Sequence, residues 1–133
     1  MKMLQQQGNT CTEYSLAMIL DLPIEFVMLH LPSIHIQAVM DFCYELGNIL
    51  FEVQQHPLAH DPLERRTYPL LQEDKAKFRF HKYLEHHRAL LYQAGDVPHM
   101  YAWDPQVGAV DPRLGRAVKF PDIRTAYLLQ RKK

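Results

Sequence analysis

The chain has 133 residues, 47% of them hydrophobic, with 15 basic side chains balanced by 15 acidic ones. This is the length of one domain with a real core. Its balanced charge, with no polybasic tract beyond Arg131-Lys132-Lys133, argues against phosphate-dominated nucleic-acid binding. Asp21, Glu25 and His30 break the longest apolar stretches, so none spans a membrane, and Met1-Lys2-Met3-Leu4-Gln5-Gln6-Gln7 carries no secretory apolar region. The expectation is a single-domain cytoplasmic protein (residues 1–133) with no nucleic-acid or membrane partner. In a reducing compartment its two cysteines, Cys11 and Cys43, stay free.

The first half reads as helical. Thr10-x-x-Glu13 forms a capping box that starts a helix at Thr10 and puts Cys11 at its first helical position. The helix runs to about Asp21. Leu16, Ala17, Met18, Ile19 and Leu20 wrap most of its surface, which marks it as central and buried. Leu22-Pro23 ends it, and Pro23 suits the first turn of a short second helix from Ile24 to about Leu31. Ser33 can cap a third helix through Ile36, Val39, Met40, Cys43 and Leu46, closed by Gly47. On that helix Cys43 faces the apolar side and reads as core. Ile49 to Val53 is rich in strand formers.

Residues 55 to 75 hold Pro57, Pro62 and Pro69 among many charges and read as a long, mobile surface loop, a flap beside a site. Lys77 to His87 mixes strand-like and helix-like spacing and is taken as a short helix ending near His87. Strands are expected at Ala89–Tyr92, His99–Asp104 and Ala109–Asp111, with a loop at Gln93–Pro98 and a turn at Pro105–Gly108. Residues 117 to 129 add one more strand or a terminal helix. Tyr101 and Trp103 read as sheet core or cleft wall.

The chemistry centres on Cys11. Helix amino-terminal amides favour thiolate over thiol, so a cysteine there needs only a base and an orienter to become a nucleophile. His99 and Asp111 are the candidates. Strand parity chooses the aspartate. With a loop at Asp104-Pro105-Gln106, His99 lies directly opposite Asp111 and the two share a face. A loop at Pro105–Gly108 puts Ala102 opposite Asp111 instead and turns the aspartate to the wrong face; a bulge at Gly108 decides between them. Parity places Asp104 on the other face from His99. Metal binding finds no support in the eight histidines: His86 and His87 point to different faces, His56 and His60 sit in the proline-rich loop, and no Cys-x-x-Cys or His-Glu-x-x-His pattern occurs. No cofactor is expected.

This order of parts resembles the papain-like cysteine peptidases, and within them the compact branch that includes the bacteriocin-processing leader peptidases of bacterial transporters. The resemblance rests on four stretches. They are Gln5 through Cys11 running into Ser15–Leu20, Leu22-Pro23-Ile24-Glu25-Phe26-Val27, Ala89–Tyr92 with His99–Asp104, and Val110-Asp111-Pro112. Residues 48 to 88 carry none of it. The resemblance implies an α+β papain-like fold, with amino-terminal helices packed on a small antiparallel sheet, and a Cys11–His99–Asp111 triad. It also implies an oxyanion-hole glutamine six residues before the cysteine, at Gln5, with Gln6 competing for the role. The implied activity is hydrolysis of a peptide or isopeptide-type amide in a peptide or protein substrate. Two further readings stand beside it. One is a catalytically inactive module of this fold that binds a protein partner, which Thr12 (glycine in many family members) would suit. The other is an acyl transferase of transglutaminase-like type.

Overall fold

The computed structural model describes residues 1–54 and 81–132. The chain is α+β. Three helices, α1 (Cys11–Leu20), α2 (Ile24–His30) and α3 (Ile36–Glu45), precede six strands: β1 (Asn48–Gln54), β2 (Ala89–Gln93), β3 (His99–Asp104), β4 (Gly108–Asp111), β5 (Arg116–Val118) and β6 (Thr125–Arg131). The strands form one sheet in the order β1-β6-β2-β3-β4-β5, and every neighbouring pair is antiparallel. No helix among the described residues is long and apolar enough to cross a membrane.

Helix α1 is central, as its apolar run requires. Thr12 and every residue from Ser15 to Ile19 are buried. One core lies between the helices and the sheet and joins Leu16 and Met18 to Val27, Val39, Leu90 and Met100. A second lies on the opposite sheet face, where Leu84, Leu91, Tyr101, Ile123 and Leu128 meet. There Trp103 donates its indole N–H to the Leu84 carbonyl at 2.7 Å. The alternation of β3 therefore sends Met100 and Ala102 toward α1, and Tyr101 and Trp103 away from it.

The helix ends differ from expectation in instructive ways. Helix α1 does begin at Cys11 with Thr10 as its N-cap, but no capping box forms. The Thr10 hydroxyl instead donates back to the Gln7 carbonyl at 2.7 Å, which closes the preceding loop and leaves the first-turn amides without a side-chain cap. At the other end Asp21 adopts the left-handed conformation (φ 54°), and the Leu22 N–H reaches the Ala17 carbonyl at 3.0 Å, a Schellman closure. Helix α3 starts three residues after Ser33, because the Ser33 hydroxyl accepts the His35 amide in a local turn at 3.1 Å rather than capping the helix.

The carboxy-terminal stretch, expected as one strand or a helix, forms two strands, β5 and β6. The β3–β4 hairpin also departs from expectation. Asp104 pairs with Gly108 and Ala102 with Val110, so the loop is Pro105–Val107. The Val107 N–H bonds back to the Asp104 carbonyl, and Gly108 follows at φ 98°, a turn-plus-bulge connection that only glycine enters without strain. One further pair along this register sets Tyr101, not His99, opposite Asp111. The expected loop at 55–75, its mobility, and most of the expected helix at 77–87 lie outside the described residues; residues 81–84 are helical.

Candidate active site

Two polar anchors fix where α1 lies along β3. In the middle, the buried Ser15 hydroxyl donates to the Met100 carbonyl at 3.2 Å. At the helix carboxy terminus, Arg88 donates to the Ile19 carbonyl (3.1 Å), to Asp21 (2.6 Å) and, through Nε, to Asp104 (2.9 Å). The helix thus runs from the His99 end of β3 toward its Asp104 end. Cys11 stands four residues, about one turn, before Ser15, so it projects toward the strand end that carries His99. Cys11 is half-buried against the helix-side core, and Cys43 is fully buried; both are free thiols. Burial pushes the Cys43 thiol up to about 12.

His99 and Asp111 are both buried, and His99 Nε2 lies 2.8 Å from Asp111 Oδ1. The contact is reached on the diagonal: Asp111 sits across from Tyr101, and the carboxylate bridges to the residue one pleat along on the same face. Acceptance by a carboxylate fixes the proton on Nε2 and leaves Nδ1 as the basic ring nitrogen. Burial works to raise the Asp111 pKa, but the His99 hydrogen bond, the Arg113 amide (2.9 Å) and the Arg113 guanidinium overcome it. They hold the carboxyl below its ordinary value.

Asp104, the rejected candidate, does different work on the other face. Its Oδ1 accepts the amides of Gln106 and Val107 at 2.8 and 3.3 Å, and its Oδ2 accepts Arg88. It builds the hairpin turn and ties it to the end of α1.

The amino-terminal segment lies along the turn that follows Asp111. The Gln6 amide donates to the Pro112 carbonyl at 2.6 Å, and the Gln5 side-chain amide donates to the Arg113 carbonyl at 3.3 Å. The approach is close: a Cβ on Gly115 would stand 2.8 Å from Gln5 Cβ. Gln6 turns its own amide N–H onto the Gly8 carbonyl at 2.7 Å and leaves its Oε1 buried and unpartnered.

The structure therefore joins His99 to Asp111 directly and brings Gln5 and Gln6 to the same turn. Cys11 and His99 are not hydrogen-bonded to each other: among the described residues the His99 ring bonds to Asp111 alone. Cys11 is nevertheless in the same electrostatic neighbourhood. The Tyr101 phenol is raised above its ordinary pKa by burial first, then by Asp111, with a smaller contribution from Cys11, and Arg113 opposes the rise.

Tyr101, expected as sheet core or cleft wall, does lie in the second core; sequence reading missed its contact with His99, and missed Arg113. Tyr101 packs edge-on against the His99 ring, centroids 4.6 Å apart, and donates its hydroxyl to Gln93 Oε1 at 3.0 Å. Its signal was parity, since it is two residues from His99 on one strand. Arg113 was foreshadowed by Asp111-Pro112-Arg113-Leu114-Gly115. In that turn the aspartate side chain bonds the amide two residues on, and Gly115 takes φ 66°. Among the described residues no cluster of potential metal ligands occurs. Comparison with family models, curated proteins and solved structures yields no match.

Proposed function

We propose that this protein is a cysteine-nucleophile hydrolase of papain-like type that cleaves a peptide or isopeptide-type amide bond. The observation that carries the reading is the buried His99–Asp111 pair at 2.8 Å, at the end of β3 toward which α1 directs Cys11. In this reading Asp111 fixes the imidazole tautomer, and Nδ1 takes the Cys11 proton. The thiolate attacks the substrate carbonyl, and the imidazolium then protonates the leaving amine. Water releases the acyl group from sulfur, with His99 acting as base again. The uncapped amide of Cys11 is one donor for the oxyanion, and a side-chain amide of Gln5 is the second. Gln6 competes for this role: both side-chain amides rest on backbone carbonyls, Gln5 on Arg113 and Gln6 on Gly8, and the more loosely held Gln5, at 3.3 Å against 2.7 Å, is the freer to turn.

The strand pleat places His99 on the sheet face opposite Met100, so the imidazole must meet the thiol around the end of the sheet. Catalytic hydrogen bonds commonly tighten only with substrate bound. The same observation favours the second reading, a non-catalytic module that binds a protein partner. Iodoacetamide labelling near neutral pH separates the two. Cys43 is buried and stays inert in either case; a hydrolase labels rapidly at Cys11, and His99→Ala slows that labelling sharply. Slow labelling of both cysteines, unaffected by His99→Ala, supports the binding module and refutes the hydrolase.

A further inference from the structure

Among the described residues Arg113 is the one cation placed on the His99–Asp111 pair by an ion contact, and the hydrolase reading gives it no role. Its backbone amide donates to Asp111 Oδ1 at 2.9 Å, the oxygen that His99 also uses. Its guanidinium lies along both carboxylate oxygens, Nε 3.5 Å from Oδ1 and the terminal nitrogen 3.4 Å from Oδ2. The Tyr101 ring packs edge-on against the imidazole. His99 and Arg113 thus share one buried carboxylate, that of Asp111.

A carboxylate facing an imidazole alone gives its full charge to the imidazolium. A carboxylate shared with a guanidinium gives less, and the guanidinium itself repels a second cation. We propose that Arg113 is a positioning residue that holds Asp111 in register and restrains the basicity of His99. It thereby sets the upper end of the pH range over which the imidazolium survives to protonate a leaving group. The consequence for turnover rests on the hydrolase reading; the effect on His99 does not. The charged and titratable groups around the His99–Asp111 pair are Asp111 from β4, Arg113 from the following turn and Tyr101 from β3, with Cys11 of α1 on the helix side of the sheet. Of these, Asp111 stabilises the imidazolium and Arg113 opposes it. Tyr101 is neutral in this range, and a Cys11 thiolate would stabilise it.

The test follows the His99 ring proton by NMR titration in the wild type, Arg113→Gln and Arg113→Lys, with the signal assigned by its loss in His99→Gln. The Arg113 side chain is half exposed, and the bond from its backbone amide to Asp111 survives substitution, so the fold is retained. Arg113→Gln should raise the His99 midpoint at low ionic strength, and raise it less at 1 M salt. Arg113→Lys, which keeps the charge, should stay near the wild type. If the protein hydrolyses amides, the alkaline limb of turnover moves up by the same amount in Arg113→Gln. A midpoint that is unchanged or lowered in Arg113→Gln overturns the proposal, as does a lysine variant that behaves like the glutamine one. Failure of the hydrolase reading would appear separately, as slow Cys11 labelling that His99→Ala leaves unchanged.

Discussion

Asp104 and Asp111 stand at opposite ends of the same hairpin unit, and replacing Asp104 by alanine should separate the carboxylate that builds the turn from the one that holds His99. Asp104 is buried, and its two oxygens accept three hydrogen bonds: from the Gln106 amide, the Val107 amide and Arg88 Nε. Bonds to a charged acceptor are worth about 1.5–3 kcal/mol each. The three share one group, and Arg88 keeps Asp21 and the Ile19 carbonyl as partners, so the sum is less than additive. Asp104→Ala should therefore cost about 3 kcal/mol, or roughly 10 °C in Tm for a domain of this size. Asp104→Asn retains an acceptor for the turn amides and loses only the charge facing Arg88, so it should cost about half as much, near 1.5 kcal/mol.

The loss should depend on pH with a definite sign. Burial alone would raise the Asp104 pKa, but the turn amides and Arg88 depress it below the ordinary value. The unfolded chain then takes up the proton first. The carboxylate's stabilisation is complete above the unfolded value near pH 4 and disappears as pH falls through the lower folded value. Urea unfolding at pH 7 and at about pH 3 measures both effects. A cost under 1 kcal/mol at pH 7, or no difference between alanine and asparagine, would refute the assignment. So would a loss of Cys11 reactivity as large as that in Asp111→Ala.

Three further outcomes follow from the same geometry. Asp111→Ala should depress amide hydrolysis or Cys11 alkylation far more than Asp104→Ala, read by single-turnover assay or mass spectrometry, because only Asp111 contacts His99. Ser15→Ala should cost about 1–2 kcal/mol in urea unfolding, since it removes a buried donor from the Met100 carbonyl and loosens α1 beside His99. Gly115→Ala should cost about 2 kcal/mol or more, because an alanine there meets both the left-handed strain at φ 66° and the Gln5 backbone at 3.2 Å; the displaced Gln5 should also lower turnover, in the same direction as Gln5→Ala.

Much of the helical half was legible because its signals are local. The apolar run of Leu16–Ile19, the break at Leu22-Pro23 and the glycine after α3 each act within a turn or two. What failed were side-chain choices between equivalent partners. Thr10 and Ser33 each had a helix amide and a loop group within reach, and in both cases the loop group won. The strands around His99 were legible from alternation and the proline turn. The exact register was not, because one residue in left-handed conformation, Gly108, moves every pairing beyond it. Parity still brought Asp111 to the face of His99, since the observed loop differs from the expected one by an even step along the ladder. Arg113 and the contact of Tyr101 with His99 escaped notice because an exposed turn arginine and a strand tyrosine look ordinary until a buried carboxylate lies between them.

The place of β6 in the sheet has a consequence for how the molecule is made. β6 lies between β1 and β2, so β1 has no partner among the other described strands. Its partners are 71 to 83 residues further along the chain, from Gln54↔Thr125 to Asn48↔Arg131. On a ribosome adding about 5–20 residues per second, β1 waits roughly 4–17 s with an open edge before its partner exists. The unit from β2 to β5, by contrast, closes through short connections as it emerges. His99 and Asp111 belong to this early unit and Cys11 does not. Until residue 125 emerges the nascent chain therefore holds an open-edged β1 beside an already paired β2–β5 unit, and a ribosome stalled there would display that half-assembled sheet.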